Sequence, residues 1–469
     1  MRDVRTRVPL LVVGGVAAAA GGAIVFGSRR LDSAATWALA LAVVAAALLP
    51  IARDWRRGQL DLLNLRNAFL GYYVMQFGVW ALWILATGDT KFIANLDRWQ
   101  MPLQRALLCA LLGVAAFHLG YSRRLGEKLA AYLPHFPGRW REPQLWLLIL
   151  ILVPLALWSF HIIVVGAGSL GDFVAELTAN RTHGIREKGY YLLLAWFGPT
   201  VLLLATYAEA LETRSKKRYA LAGALALLAG GIGFALGYRA FVIFPLLQLA
   251  CVHHYLRSRI RLRPRYLLAL LAVAMVLSVY SVYREVPLER LHAREVVADL
   301  QEAEFWRESS VAFLRRFSGI ETLALVVERT ETHPFGVPSA VTLLTFPIPR
   351  ALWKEKVTPI GLTYARSFLY DVADAEGASP TLPGELYWNF GLAGVLGGLF
   401  FIGVFCKTAY SYLLRRRDKS AVLLYSVALV YVIWMIDAPT THTAGFLAQL
   451  ALMSAALTAL TLSPLRSRP

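Results

Sequence analysis

The chain has 469 residues and carries 48 Lys and Arg against 30 Asp and Glu, a formal net charge of +18. Hydrophobic residues make up 57% and charged residues 17%, against roughly 45–50% and about 25% in soluble globular domains. The mean hydropathy is +0.53, and the apolar residues stand in runs of about 18–25, the length that crosses a bilayer. This composition excludes a set of soluble domains and predicts a polytopic membrane protein.

The apolar runs predict an all-α fold with about 12 transmembrane helices, because a helix satisfies its own backbone hydrogen bonds in lipid. The first run is followed by Arg29, Arg30 and further spans, so we interpret it as a retained helix and not a removed signal peptide. The predicted spans are 8–26, 35–51, 67–87, 103–121, 145–166, 190–208, 219–236, 240–256, 266–283, 389–413, 420–436 and 443–462.

The basic residues predict the orientation of these spans. They concentrate in every second connection, and the positive-inside rule assigns those connections and both termini to the cytoplasm. The surplus of positive charge is therefore interpreted as contact with anionic lipid, and nucleic acid is not an expected partner. The three cysteines, Cys109, Cys251 and Cys406, lie inside apolar runs at spacings that indicate neither a disulfide framework nor a zinc site.

One outward connection, 284–388, is far longer than the others, and loops of such length are usually functional. It divides the chain into a nine-helix region at 1–283, the large extracytoplasmic loop at 284–388 and a three-helix region at 389–469. Within the loop, the pattern predicts mostly helix over 289–329 and an interfacial or re-entrant segment over 340–353. Turn chemistry over 378–389 leads into the tenth span.

Arginines in three outward segments are candidate anion-binding residues, because a guanidinium forms bidentate contacts with phosphate. Arg239 stands at the tight turn GFALGYRAF, where the alternative is a side chain that snorkels to the headgroups. Arg181 and Arg186 stand in ANRTHGIREKGYY, and Arg315 and Arg316 stand in FLRRFSGIETL. A solvated loop and a helix-surface salt-bridge pattern are the respective alternatives.

Three side chains on the same predicted side are candidate proton acceptors whose pKa burial would tune. They are Glu321 beside the two late arginines, Glu385 in LPGELYWNFG and His442 in DAPTTHTAG. A structural role is the alternative for each. The nearest approach to a metal site is Asp374 and Glu376 in DVADAEGA, which we interpret as solvated loop acids, so neither a metal nor a cofactor is expected.

Several of these features together resemble the Wzy-type O-antigen polymerases. They are twelve spans, cytoplasmic termini, one large late outward loop, the G-Y-R hairpin at 237–239, the segment Arg316–Glu321 and the block GELYWNFGLAGVLGG. More specifically, the chain resembles the oligosaccharide repeat unit polymerases, relatives of O-antigen ligases in the GT-C superfamily. Members of that family have functional arginines in two outward loops. By position, Arg181 and Arg186 fit the first loop, and Arg315 and Arg316 fit the second.

The resemblance implies a GT-C-like glycosyltransferase of the bacterial inner membrane with its active site facing the periplasm. Donor and acceptor would be undecaprenyl-diphosphate-linked oligosaccharides, joined by an inverting, metal-independent reaction. Arginines would stabilise the diphosphate leaving group, while a carboxylate or histidine deprotonates the attacking hydroxyl. A chain-length regulator protein is a candidate partner. An O-antigen ligase-like transferase acting on lipid A and a lipid-linked oligosaccharide flippase remain the alternative functions.

Overall fold

The computed structural model describes residues 29–93, 96, 99–165, 189–236, 239–260, 299, 301–330, 337–346, 348, 352–353, 360–369 and 379–461. Within these ranges the regular elements are all helices, which confirms the all-α class. The helices are α1 (Arg29–Arg56), α2 (Leu65–Thr87, with a π-helical segment at Met75–Val79), α3 (Gln100–Ser122), α4 (Leu125–Tyr132), α5 (Glu142–Val165), α6 (Gly189–Thr213), α7 (Lys216–Ala235), α8 (Arg239–Leu256), α9 (Ala303–Leu314), α10 (Gly319–Arg329), α11 (Val337–Thr345), α12 (Ile360–Phe368), α13 (Leu382–Arg416), α14 (Lys419–Trp434) and α15 (Pro439–Thr461).

Eight of these helices are long and apolar enough to cross a membrane, so the chain is a membrane-embedded protein. They are α1, α2, α3, α5, α6, α7, α13 and α15, and each coincides with a predicted span. Helices α8 and α14 match two more predictions but are shorter apolar helices. The predicted spans 8–26 and 266–283 lie outside the described residues.

The chain divides into two compact units, each assembled from several stretches of sequence. The first unit comprises 1–132, 313–411 and 431–444, and the second comprises 133–312, 412–430 and 445–469. Both units contain early and late parts of the chain. The units defined by packing therefore differ from the three consecutive regions, with boundaries after 283 and 388, that the sequence predicts. That division is a statement about membrane topology, and it stays a prediction.

The first unit is built around α1, α2, α3 and α10. Its core includes stacked aromatic rings, such as Phe69 on Phe117 with centroids 4.5 Å apart. Helices α3 and α13 approach so closely that a Cβ atom on Gly120 would lie 2.0 Å from the Phe400 carbonyl oxygen, and one on Gly403 would lie 2.2 Å from that of Phe117. Small residues permit this backbone contact, the usual basis of close helix packing in lipid.

The second unit contains the short hairpin that carries Arg239. Helices α7 and α8 meet where a Cβ atom on Gly233 would lie 2.9 Å from the Phe241 carbonyl oxygen. The indole of Trp196 donates a hydrogen bond to that oxygen at 3.0 Å and stacks on the Phe241 ring at 4.1 Å. These contacts hold the start of α8, where Arg239 is the first helical residue.

Two elements differ from the sequence prediction. The predicted turn at 378–389 is helical from Leu382 onward, and the chain reverses two residues beyond it at Gly391, with φ 63° and ψ −153°. A Cβ atom on Gly394 would lie 2.3 Å from the Leu386 carbonyl oxygen, so the part of α13 before Gly391 folds back on the part after it. We call this first part, residues 382–390, the re-entrant segment; it is distinct from the interfacial segment predicted over 340–353.

The helix predicted over 289–329 is also interrupted in the described residues. Helix α9 ends at Leu314, a 3-10 turn spans Arg315–Phe317, and α10 begins at Gly319. The Gly319 N–H is bonded to Gln76 Oε1 at 3.0 Å, and a Cβ atom on Gly319 would lie only 2.6 Å from that oxygen. This contact with α2 fixes the chain at the point where a continuous helix was predicted, and it places Arg315 and Arg316 in a turn.

Candidate functional site

A partly buried acidic network lies in the first unit, beside the π-helical segment of α2. The Tyr72 hydroxyl donates to Asp437 Oδ2 at 2.6 Å, and Gln76 Nε2 donates to Asp437 Oδ1 at 2.5 Å. Gln76 belongs to the π-helical segment, a distortion that occurs frequently at functional sites. Its other amide atom, Oε1, accepts the Gly319 N–H, so one side chain links Asp437 to the start of α10.

The protein surrounds the Asp437 carboxyl closely enough to change its acidity. Burial raises its pKa from the ordinary 3.8 to about 7, and the hydrogen bond from Tyr72 opposes that shift. A carboxyl group with a pKa near neutrality exchanges a proton readily at physiological pH, as a general base requires. Asp437 is therefore a chemically suitable proton acceptor.

Three cations lie around this network. Arg315 and Arg316 are exposed in the 3-10 turn, and the Arg316 charge acts on both the Tyr72 hydroxyl and the Lys91 ammonium. Desolvation lowers the pKa of Lys91, the Glu321 carboxylate opposes this, and Arg316 and Arg315 lower that pKa further. Arg315 Nη2 lies 2.7 Å from Asp89 Oδ1. We call Lys91, Arg315 and Arg316 the cationic cluster; Asp89 pairs with Arg315, and the Glu321 carboxylate acts on Lys91.

Glu321, predicted as a catalytic residue, is fully buried and accepts four hydrogen bonds. Trp80 Nε1 donates to Oε1 at 2.5 Å, and the backbone N–H groups of Lys91, Phe92 and Ile93 donate to Oε2 at 2.8, 2.7 and 3.2 Å. Burial raises its pKa, and these bonds oppose the shift. With both oxygens occupied, the carboxylate holds the segment that carries Lys91, so the geometry gives Glu321 a positioning role.

Glu385 is buried in the re-entrant segment and contacts the first turn of α15. It accepts hydrogen bonds from the Thr440 hydroxyl and, at 3.4 Å, from the Thr440 N–H. A carboxylate is stabilised at a helix N-terminus, where the backbone N–H groups have no partner inside the helix. One turn later, Asn389 Nδ2 donates to the Ser339 hydroxyl of α11 at 2.9 Å. These contacts dock the re-entrant segment, and a catalytic role for Glu385 stays a prediction.

His442 also lies in the first turn of α15, two residues after Thr440, and stacks on an indole. The rings of His442 and Trp434 have centroids 3.7 Å apart and an interplanar angle of 21°. Its backbone N–H bonds to the Ala438 carbonyl at 3.0 Å, within the first turn of the helix. The structure thus gives His442 a stacking contact with Trp434, and its catalytic role stays a prediction.

The remaining predicted site residues are described partly or not at all. Arg181 and Arg186 lie outside the described residues, as do Asp374 and Glu376. The backbone of Arg239 is described as the start of α8, in the second unit, whereas Arg315 and Arg316 belong to the first unit. Over the described ranges, no group of three or more His, Cys, Asp or Glu side chains is arranged to hold a metal ion.

Sequence reasoning missed the acidic network itself. Asp437 is the first residue of the DAPTTHTAG segment that contains His442, while Tyr72 and Gln76 stand inside a predicted span among apolar residues. A polar Gln in an apolar run is the one signal that pointed to them, since polar side chains within membrane segments are costly and usually face a functional interior.

Comparison of the chain with family models, with curated proteins and with solved structures yields no match.

Proposed function

We propose that the protein is a membrane glycosyltransferase that polymerises polyprenyl-diphosphate-linked oligosaccharide repeat units. The observation that carries the proposal is a partly buried carboxyl group, Asp437, whose pKa is near neutrality and whose bonded partner Tyr72 feels the charge of Arg316 in the cationic cluster. A diphosphate leaving group needs stabilising positive charge, and an attacking sugar hydroxyl needs a proton acceptor. Lys91, Arg315 and Arg316 supply the first, and Asp437 supplies the second.

The proposed reaction is a single displacement at the anomeric carbon of the donor. Asp437 takes the proton of the acceptor hydroxyl as its oxygen forms a bond to the anomeric carbon. The bond from that carbon to the diphosphate oxygen breaks, and the electron pair leaves with the diphosphate. Arg316 and Lys91 stabilise the charge that develops there, and a displacement of this kind inverts the anomeric configuration.

The surrounding contacts explain how the reacting groups are held. Gln76 joins Asp437 to Gly319, two residues after the 3-10 turn, and so helps to position Arg316. Glu321 holds the backbone at Lys91. Preorganised charge of this kind is usually the largest electrostatic contribution to catalysis. Arg315 is paired with Asp89, so part of its charge is already compensated.

The proposal includes the cellular setting implied by the sequence. The substrates would be undecaprenyl-diphosphate-linked in a bacterial inner membrane, with both termini of the chain cytoplasmic and the acidic network reached from the periplasm. The roles of Arg181, Arg186 and Arg239 in binding the substrate stay predictions from the sequence. Because ammonium and guanidinium groups supply the positive charge, we expect transfer to persist in EDTA.

The test is polymerisation of a lipid-linked repeat unit by the purified protein and by variants at matched concentration. Arg316→Ala should lower the rate by about 10²–10³, by analogy with loss of one oxyanion-hole donor. Arg316→Lys should recover only part of this, because an ammonium lacks the planar fork of a guanidinium. Asp437→Asn should abolish polymerisation, and wild-type activity should rise with pH up to about 7 and then level off.

The matched control is Arg307→Ala, which removes an exposed arginine paired at 2.6 Å with Glu304 on its own helix. It should leave the rate unchanged. Near-wild-type polymerisation by Asp437→Asn would remove Asp437 from the reaction. A parallel assay with lipid A as acceptor separates the alternatives, because transfer to lipid A without polymer formation would indicate a ligase.

A further inference from the structure

A second polar site lies in the second unit, where helix ends surround a cavity of about 430 Å³. The cavity is lined by residues at the end of α6, at the end of α8, in the stretch before α5 and in the turn that leads into α14. Those used below are Arg139, Glu212, Arg417, Asp418 and Lys419. Helix α6 is a membrane-spanning candidate that ends at Thr213, so the cavity lies near a boundary of the bilayer.

Each acidic group at this cavity already has a partner. Glu212 Oε2 accepts from Lys419 Nζ at 2.6 Å, and Lys419 also pairs with Glu209 and lies 4.3 Å from the Trp140 ring centroid. Asp418 Oδ1 accepts the Ala421 N–H at 2.8 Å, at the start of α14. Glu212 and Lys419 therefore compensate each other, whereas Asp418, which lies 3.7 Å from His135 Nδ1, keeps a negative charge; three basic against two acidic residues give the cavity lining a formal net charge of +1.

Two guanidinium groups remain uncompensated. Arg139 and Arg417 are both exposed, and neither has a carboxylate within ion-pair distance among the described residues. The Nε atom of Arg417 donates to the Leu414 carbonyl at 3.0 Å, which orients the side chain and leaves its terminal nitrogens for another acceptor. The cavity thus presents two exposed guanidinium groups beside the end of a candidate membrane-spanning helix.

We propose that this cavity binds a phosphate-bearing anion through Arg139 and Arg417. The position at the end of a membrane-spanning helix favours the headgroup of an anionic phospholipid, because basic pockets between such helices recognise these headgroups. Guanidinium groups also form bidentate hydrogen bonds with phosphate oxygens. A soluble phosphate would satisfy the same groups, so the test includes both sources.

The experiment measures the thermal unfolding midpoint of the full chain in an uncharged detergent. Phosphatidylglycerol, phosphatidylcholine and inorganic phosphate are titrated separately, and each variant is compared with its own ligand-free midpoint. Phosphatidylglycerol should raise the midpoint to a plateau. In Arg139→Gln and in Arg417→Gln, the concentration at half-effect should rise about tenfold, the cost of one charge-assisted hydrogen bond.

Arg415→Gln is the matched control, because it removes an exposed arginine two residues away that does not line the cavity. It should behave as wild type. An arginine-dependent shift with inorganic phosphate alone would support the site and assign it to a soluble anion. Equal effects of phosphatidylglycerol in all four proteins, no effect in any, or an equal effect of zwitterionic phosphatidylcholine would overturn the proposal.

Discussion

At the scale of single residues, burial and hydrogen bonding act in opposite directions on Asp437. Burial disfavours the carboxylate, while the Tyr72 hydroxyl stabilises it. Burial has the larger effect, and the pKa rises to about 7. Because the folded state then binds a proton more tightly than the unfolded chain, this group stabilises the fold fully below pH about 4. That contribution is lost as pH rises through about 7.

The substitution Asp437→Asn should remove this pH dependence, because asparagine stays neutral. The unfolding midpoint of the variant minus that of wild type should therefore be larger at pH 8 than at pH 5. Thermal unfolding in detergent at both values measures the difference. Glu304→Gln, at an exposed pair, serves as the control. Parallel curves for wild type and Asp437→Asn would show that the carboxyl is not buried in the way described.

Glu321 illustrates a different use of a buried carboxylate. Its four donors come from α2 and from the segment after it. One side chain at the start of α10 therefore joins that helix to a part of the chain more than 200 residues earlier. A charged group is tolerated in a protein interior when all its hydrogen bonds are made. A substitution that removes one of its acceptor atoms leaves buried donors unpaired and lowers the stability of the fold.

Glu321→Gln should therefore destabilise the protein by about 2–4 kcal/mol, because an amide has one acceptor oxygen and leaves buried N–H donors unpaired. Glu328→Gln is a matched control on the same helix, since Glu328 pairs with Arg105 at the surface and such pairs contribute about 0–1 kcal/mol. Denaturation of both variants gives the comparison. A Glu321→Gln protein with wild-type stability and no activity would instead favour the catalytic role predicted from sequence.

At the scale of elements, the reversal within α13 depends on one backbone conformation. Gly391 has φ 63° and ψ −153°, a region that is essentially restricted to glycine. Gly394 and Gly398 then leave room for Leu386 of the re-entrant segment. The fold of this segment places Glu385 against α15.

Gly391→Ala should destabilise the protein by about 1–3 kcal/mol, because alanine adopts this conformation only under strain. Gly397→Ala is the control on the same helix, since a Cβ atom there would meet no atom within 4 Å. It should be neutral or slightly stabilising, because alanine favours helix more than glycine does. The measurement is the unfolding midpoint of Gly391→Ala, Gly397→Ala and wild type under the same conditions. Similar midpoints for the two variants would contradict the backbone conformation described at Gly391.

At the scale of the whole molecule, the asymmetry of basic residues predicts the orientation on which the proposed function depends. Repeat units assembled outside the cytoplasm require Arg316 and Asp437 to be reached from that side. The orientation follows from connections that alternate along the chain, so one misplaced span would invert every later assignment.

A reporter active only outside the cytoplasm should therefore work when fused at about residue 335 and fail when fused at about residue 260, where basic residues follow α8. Matched expression of the two fusions is the control. Activity at 260 together with silence at 335 would invert the orientation and place the acidic network on the cytoplasmic side.

By itself the sequence determined the class of protein and most of its helices. Spans such as 103–121 and 145–166 coincide with α3 and α5, because apolar length and backbone satisfaction in lipid are local properties. The arginine pair at 315 and 316 was also visible, since the two residues are adjacent in sequence.

Only the tertiary structure decided which groups meet. Asp437 bonds to Tyr72 across 365 residues, and Glu321 bonds to Trp80 across 241. The break before α10 and the fold-back at Gly391 likewise depend on contacts with other parts of the chain. Local patterns show that a residue is polar or small. The acidity of a carboxyl and the path of a helix depend on burial and on partners that the fold brings from far along the chain.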